Sequence, residues 1–255
     1  MLRIILTLVA VAGIFYAALC AFLFATQRSQ IYFRTPESAA PGATALWLDS
    51  SGVRLKVWAV ERPGPRAVVY FGGNAEDVAM SLPELAATCP DQALYLLNYR
   101  GYGGSEGAPT EAGLYADALA LFDHVRARHP QVSLVGRSLG SAVAVQVASQ
   151  REVERIVLIT PFDSFVSVGR AHFPILPIGL LLRDQYDAAS LAPAVRAPVL
   201  AIIAGNDEII PRASAAALLG AFTLGQVQPL ILEGAMHNDV SFAPGYAAAI
   251  RAFMQ

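Results

Sequence analysis

The 255-residue chain is 55% hydrophobic and 15% charged, with a formal net charge of -2. That length suits one α/β domain of about 200 to 250 residues with a short appendage and excludes a pair of full domains. No Lys/Arg cluster forms the basic stripe that nucleic-acid binding requires, and Cys20 and Cys89, one in an apolar segment and one in the globular part, give no disulfide framework.

The first element is apolar throughout. From Ile4 to Ala25 the sequence "IILTLVAVAGIFYAALCAFLFA" carries no charge, and roughly 20 helical residues cross a bilayer core of about 30 Å. A secretory signal peptide has a shorter apolar core, about 7 to 15 residues, closed by a small-residue cleavage site; no A-x-A pattern closes this stretch. Leu19 likewise does not suit lipoprotein processing at Cys20. Residues 1–27 are therefore read as a retained single-pass anchor and residues 28–43 as a linker. Arg3 on one side, with Arg28 and Arg34 on the other, nearly cancels the positive-inside bias.

Downstream, "ALWLDSSGVRLKVWAV" (Ala45 to Val60) alternates around Ser51-Gly52 and reads as a β-hairpin. Strand-like runs then start at Ala67 (AVVYF), Gln92 (QALYLLNY), Gln131 (QVSLVG), Arg155 (RIVLIT), Pro198 (PVLAIIAG) and Val227 (VQPLILEG). They are β-branched or leucine-rich and mostly apolar, as strands covered on both faces are. Helical stretches lie between them, among them Glu111 to Arg128, with Thr110 as N-cap, and Ser214 to Phe222. This alternation predicts an α/β fold, a mostly parallel sheet flanked by helices and reached through an antiparallel hairpin. The one composition shift inside it is "FPILPIGLLL", Phe173 to Leu182.

Between the strand "QVSLVG" and the helical "SAVAVQVAS" lies Gly136-Arg137-Ser138-Leu139-Gly140, a G-x-S-x-G pattern. In so sharp a strand-to-helix turn the central residue is strained and its neighbours must be small, and the serine hydroxyl projects over the carboxyl ends of the strands. A serine is a poor nucleophile alone, so a base must take its proton and an acid must orient that base. Of the four histidines, His124 and His129 belong to the helix before the serine's strand and read as surface or helix-end residues; His172 lies in the apolar segment, where a core or cap role fits better. His237, in "EGAMHNDV" after the last strand, is the base. Asp207 in "AGNDEIIP" is the acid, with adjacent Glu208 as the alternative. An oxyanion needs two donors: one is the Leu139 backbone N–H, and "VVYFGGNAED" offers a second from Asn74 or Ala75.

The motifs FGGNAED, NYRGYGGSEG, GRSLG, NDEIIP and MHND, in that order behind an apolar N-terminus, resemble the serine aminopeptidase-like subgroup of the α/β-hydrolase superfamily over roughly Leu46 to the C-terminus. The resemblance implies Ser138 as nucleophile, Asp207 as acid and His237 as base, in the chain order of such hydrolases, with the Asn74 and Leu139 N–H groups as oxyanion hole. It makes 44–255 the catalytic domain and implies attachment to a membrane, as in bacterial inner-membrane relatives and eukaryotic depalmitoylating ones. Two positions depart from the family: Gly72-Gly73-Asn74 stands where His-Gly-Asn is common, and Asn98 where an aspartate is.

The glycines of "RGYGGSEG" do not form a dinucleotide or phosphate loop, because Glu106 occupies the last required glycine and no Gly-Lys-Ser/Thr follows. No Cys/His/carboxylate spacing suits zinc. The expectation is a membrane-anchored serine hydrolase without cofactor, cleaving esters or thioesters of a small-molecule or lipid acyl substrate. An aminopeptidase is the alternative, with Glu76 or Asp77 holding the substrate ammonium, and a non-catalytic binding protein is the second. Residues 164–190 are expected to form a small apolar cap in which Leu180 and Leu181 line an acyl site; plain packing on the sheet and helices competes with that reading.

Overall fold

A computed structural model describes residues 1–255. Its first element, α1 (Leu2–Ile31), is a continuous helix whose only buried residue is Gln27. It is long and apolar enough to cross a membrane. The helix runs through Arg28 to Ile31, into the stretch expected to be a linker, and buried Tyr32 follows directly.

The sheet has eight strands in the order β1-β2-β4-β3-β5-β6-β7-β8. The hairpin β1 (Thr44–Ser50) and β2 (Val53–Val60) turns at Ser51-Gly52, both at positive φ, and β2 pairs antiparallel with β4 (Ala93–Leu97). From β4 onward the strands are parallel: β3 (Arg66–Phe71), β5 (Gln131–Arg137), β6 (Ile156–Ile159), β7 (Val199–Ala204) and β8 (Val227–Leu232). Alternate residues of β3 face opposite layers, Val69 and Phe71 one core and Val68 and Tyr70 the other, which is why these strands read as unbroken apolar runs.

On the first face lie α3 (Glu111–Arg126), capped by the Thr110 hydroxyl on the Gly113 N–H, with α4 (Leu139–Gln150) and α8 (Arg212–Ala221). The second face carries α2 (Val78–Thr88) and the C-terminal α9 (Tyr246–Phe253). Between β6 and β7 the chain leaves the sheet for α5 (Phe165–His172) and α6 (Ile178–Leu181), separated by a segment containing Pro174 and Pro177, then returns through α7 (Ala188–Leu191). This excursion packs against α1, not on the sheet alone. Gln27 receives a hydrogen bond from the Arg183 N–H and donates to Leu181 O, Arg28 pairs with buried Asp184 at 2.9 Å, and Tyr32 and Tyr186 share a hydrogen bond.

Candidate active site

The turn between β5 and α4 fixes Ser138 at φ 49° and ψ -116°. L-residues avoid that region, and strain of this kind persists only where the surroundings hold it. Here the Ser138 N–H donates to Ile159 O on β6, and Ser138 O accepts from the Ser141 N–H and hydroxyl. Gly140 is forced by packing, because a Cβ there would lie 1.9 Å from Phe71 O at the end of β3.

Three strand ends then meet. His237, 5% exposed in the loop after β8, places Nε2 3.0 Å from Ser138 Oγ. Its Nδ1 lies 2.9 Å and 3.0 Å from the two oxygens of Asp207, which follows β7. Bonding of Nδ1–H to that carboxylate leaves Nε2 as an acceptor facing the hydroxyl. Burial pulls the Asp207 carboxyl upward, but the His237 hydrogen bond, the Ile210 N–H, the His237 charge and the Ile209 N–H together hold it below the ordinary carboxylate value. Glu208 meets a different atom: its Oε2 accepts from the His237 backbone N–H at 3.1 Å and makes no bond to the ring. Of the two acids offered by the sequence, Asp207 meets the imidazole ring and Glu208 meets only the backbone.

The loop after β3 faces the serine from the other side. A Cβ built on Gly73 would come within 3.6 Å of Ser138 Cβ. The Ala75 N–H is bonded to Asn74 Oδ1, whereas the backbone N–H groups of Asn74 and Leu139 have no partner in the protein. The Asn74 side chain is itself tied down, donating to Ile31 O at the end of α1 and accepting from the Tyr102 hydroxyl and the Phe33 N–H. Glu76 braces the same loop from below: Oε2 accepts from the Gly73 N–H at 2.6 Å, while Oε1 accepts from Tyr70 and Ser81. Burial and the neighbouring Glu76 push the Tyr70 hydroxyl well above its usual range, which keeps it a donor. Arg137 links the two halves, 3.7 Å from Glu76 and donating to Asn238 O at 3.3 Å.

The profile of the alpha/beta hydrolase family matches residues 69–199. Along nearly its whole length the chain is similar to the uncharacterized protein Rv2307c of Mycobacterium tuberculosis, with 34% identity over 98% of this chain and 94% of that one. The chain belongs to the alpha/beta hydrolase family. This hydrolase is also similar to alpha/beta hydrolase domain-containing protein 17C of Xenopus tropicalis, 31% identical over 75% of this chain and 63% of the other. Among solved structures it shares the fold of Pyrococcus furiosus esterase Pf2001, with a TM-score of 0.72 at 15% identity, covering 88% of this chain and 95% of that one.

The two departures from the family pattern have local causes in the hydrolase. A Cβ at Gly72 would sit 2.6 Å from Val78 Cγ1, so helix α2 packs where a larger side chain would stand. Asn98 donates to Lys56 O, and Arg100 takes its carboxylate from Asp117 instead, at 2.6 Å. Of the remaining histidines, His129 lies just past the end of α3, the second of the two places expected for it, and is buried there, bonding Tyr95 and Gly64 O. His172 is exposed and reaches Ile209 O, two residues beyond Asp207. The cap leucines separate. Leu181 lines an apolar cavity of ≈ 420 Å³, whereas Leu180 is 84% exposed and does not line it; the short α6 turns successive side chains to different sides. Sequence reasoning missed Arg137, which acts between segments distant in the chain, and the brace made by Glu76, whose neighbours Tyr70, Gly73 and Ser81 are turned onto its carboxylate only by the bend between β3 and α2.

Proposed function

We propose that the protein is a membrane-anchored serine hydrolase that cleaves carboxylic esters or thioesters through an acyl-enzyme. The observation carrying this reading is the relay Asp207–His237–Ser138, closed by hydrogen bonds of 2.9 Å and 3.0 Å under two unpartnered backbone N–H groups. His237 Nε2 takes the Ser138 Oγ proton as Oγ bonds the substrate carbonyl carbon. The oxyanion so formed accepts from the Asn74 and Leu139 N–H groups. His237 then protonates the departing alcohol or thiol as its bond to the acyl carbon breaks. Water, deprotonated by the same nitrogen, attacks the acyl-enzyme and restores Ser138. Asp207 stays ionised throughout and stabilises the imidazolium. No step requires a cofactor.

In this reading residues 1–27 are the anchor, 44–255 the catalytic domain and 164–190 its cap, with the acyl group held against Leu181. Ester or thioester cleavage is favoured over aminopeptidase action because the acids that would hold a substrate ammonium are engaged. Glu76 is bonded to Gly73, Tyr70 and Ser81, and Asp77 caps α2 through the Ala79 N–H while accepting from Ser38. The test is fluorophosphonate labelling of the full chain together with hydrolysis of p-nitrophenyl esters, acyl thioesters and aminoacyl amides. Ser138→Ala is expected to abolish labelling and to lower kcat/KM on the order of a thousandfold or more with the fold retained. Wild-type turnover in that variant overturns the mechanism.

A further inference from the structure

The cap is held along the C-terminal half of α1. Tyr16 donates to Ile175 O at 2.6 Å, the Arg183 guanidinium lies 4.1 Å from the centre of the Phe24 ring, and Gln27 and Arg28 bind the chain around Leu181 and Asp184. At 1.5 Å per residue the stretch of α1 ahead of Tyr16 is only about 21 Å long, short of a bilayer core of about 30 Å. A spanning α1 therefore continues inside the membrane past Tyr16, and whatever touches Tyr16 goes in with it. The cap's tip has the surface for that: Phe173 and Ile175 are 57% and 78% exposed, an unsatisfactory arrangement in water and a suitable one among acyl chains.

Between α1 and the cap lies the ≈ 420 Å³ cavity, walled by Leu23 and Ile31 on one side and by Phe173, Leu176, Leu181 and Leu182 on the other. Its walls touch both halves of the active site. Ile31 O accepts from the Asn74 side chain in the oxyanion loop, and His172, which also lines the cavity, bonds Ile209 O beside Asp207. We propose that this cavity is an acyl-chain site that opens sideways into the bilayer, so that the substrate is an acyl ester or thioester already resident in the membrane and α1 is one wall of its binding site. This rests on the anchored serine-hydrolase reading and adds the source and path of the substrate. Sideways opening has a physical rationale. Drawing a chain through water disfavours it roughly fourfold per methylene, whereas passage between lipid and an apolar cavity avoids that barrier.

The test uses the full chain in phosphatidylcholine nanodiscs whose lipid carries a diazirine at the end of one acyl chain, with cross-links mapped by mass spectrometry. Alongside it, Ser138 labelling is timed with butyl and hexadecyl fluorophosphonates below their micellar concentrations. Cross-links on Leu23, Leu176 or Leu181, and hexadecyl labelling at least about tenfold faster than butyl, are expected. Leu23→Trp, which fills the cavity from the α1 side, is expected to bring that ratio close to one, whereas Ile5→Trp, on α1 away from the cavity, leaves it unchanged. Cross-links confined to outward residues such as Ile5 and Leu8, or butyl labelling as fast as hexadecyl, overturn the proposal while leaving the nucleophile intact. Cavity cross-links with no labelling by either probe support the acyl site and overturn the serine-hydrolase reading on its own.

Discussion

At Asp207 the same contacts that orient His237 also set the carboxyl's acidity. Because its folded value is held below its unfolded one, its contribution to stability is complete above the ordinary carboxylate value and is lost as pH falls through the folded value. The stability difference between wild type and Asp207→Asn, followed by thermal melts, is therefore expected to be flat from neutral pH down to about pH 4 and to shrink only below it. A difference that vanishes between pH 7 and 5 contradicts this. Glu76 is a positioning residue: its carboxylate accepts at both oxygens from Gly73, Tyr70 and Ser81, and an amide would set an N–H₂ group against one of these donors. Glu76→Gln is expected to lower kcat about ten- to a hundredfold on a short-chain ester with KM nearly unchanged. A change confined to KM, or to melting temperature alone, assigns Glu76 a different role.

Among the elements, the turn that carries Ser138 is held by strand ends it does not belong to. Phe71 O at the end of β3 leaves no room for a side chain at Gly140, and Ile159 O on β6 binds the Ser138 N–H; parallel neighbours aligned in register place all three at one edge of the sheet. The cap is positioned by α1 and α3 together. Glu111 at the start of α3 accepts from the Gln185 and Tyr186 N–H groups, and its own N–H donates to Asp184, the partner of Arg28. The side to which each cap residue turns follows from this seating. Leu181→Gln is expected to flatten the rise of kcat/KM with acyl chain length, whereas Leu180→Gln, altering a side chain that points out of the cavity, keeps the wild-type slope. Ester series from acetyl to decanoyl measure both; equal flattening by the two substitutions contradicts the seating.

For the whole molecule, α1 and the tip of the cap expose large apolar side chains side by side, Ile14 and Phe15 on the helix and Phe173 and Ile175 on the cap, while Met80, on α2, belongs to the opposite side of the sheet's helical covering. In a Cys20→Ala background, an environment-sensitive fluorophore at Ile175→Cys is expected to shift to the blue on reconstitution into nanodiscs and one at Met80→Cys to stay as in water. Equal emission from both sites places the cap outside the bilayer. Much of this architecture was legible along the chain. Apolar runs marked every strand of the parallel sheet, Ser51-Gly52 marked the hairpin, and G-x-S-x-G marked the sharp turn at Ser138 between strand and helix, because strand burial and turn sterics act over a few residues. His237 could be singled out from sequence, since strand ends in a parallel sheet converge and few histidines compete, with Asp207 and adjacent Glu208 as the acids beside it. Other features depended on contacts between segments far apart in the chain. Lys56 on β2 is buried, paired with Glu37 at 2.7 Å and seated on the Trp58 ring, partners that its place in the hairpin pattern does not specify. Glu208 was separated from Asp207 only by which atom of His237 each one meets, and Leu181 from Leu180 only by the turn of α6 against α1. The sequence alone determined the elements and the chemical groups they carry, because local backbone and burial preferences are encoded residue by residue. Tertiary packing alone decided which carboxylate faces the imidazole and that the apolar helix is a wall of the cavity, because those outcomes depend on distances between segments that no local pattern specifies.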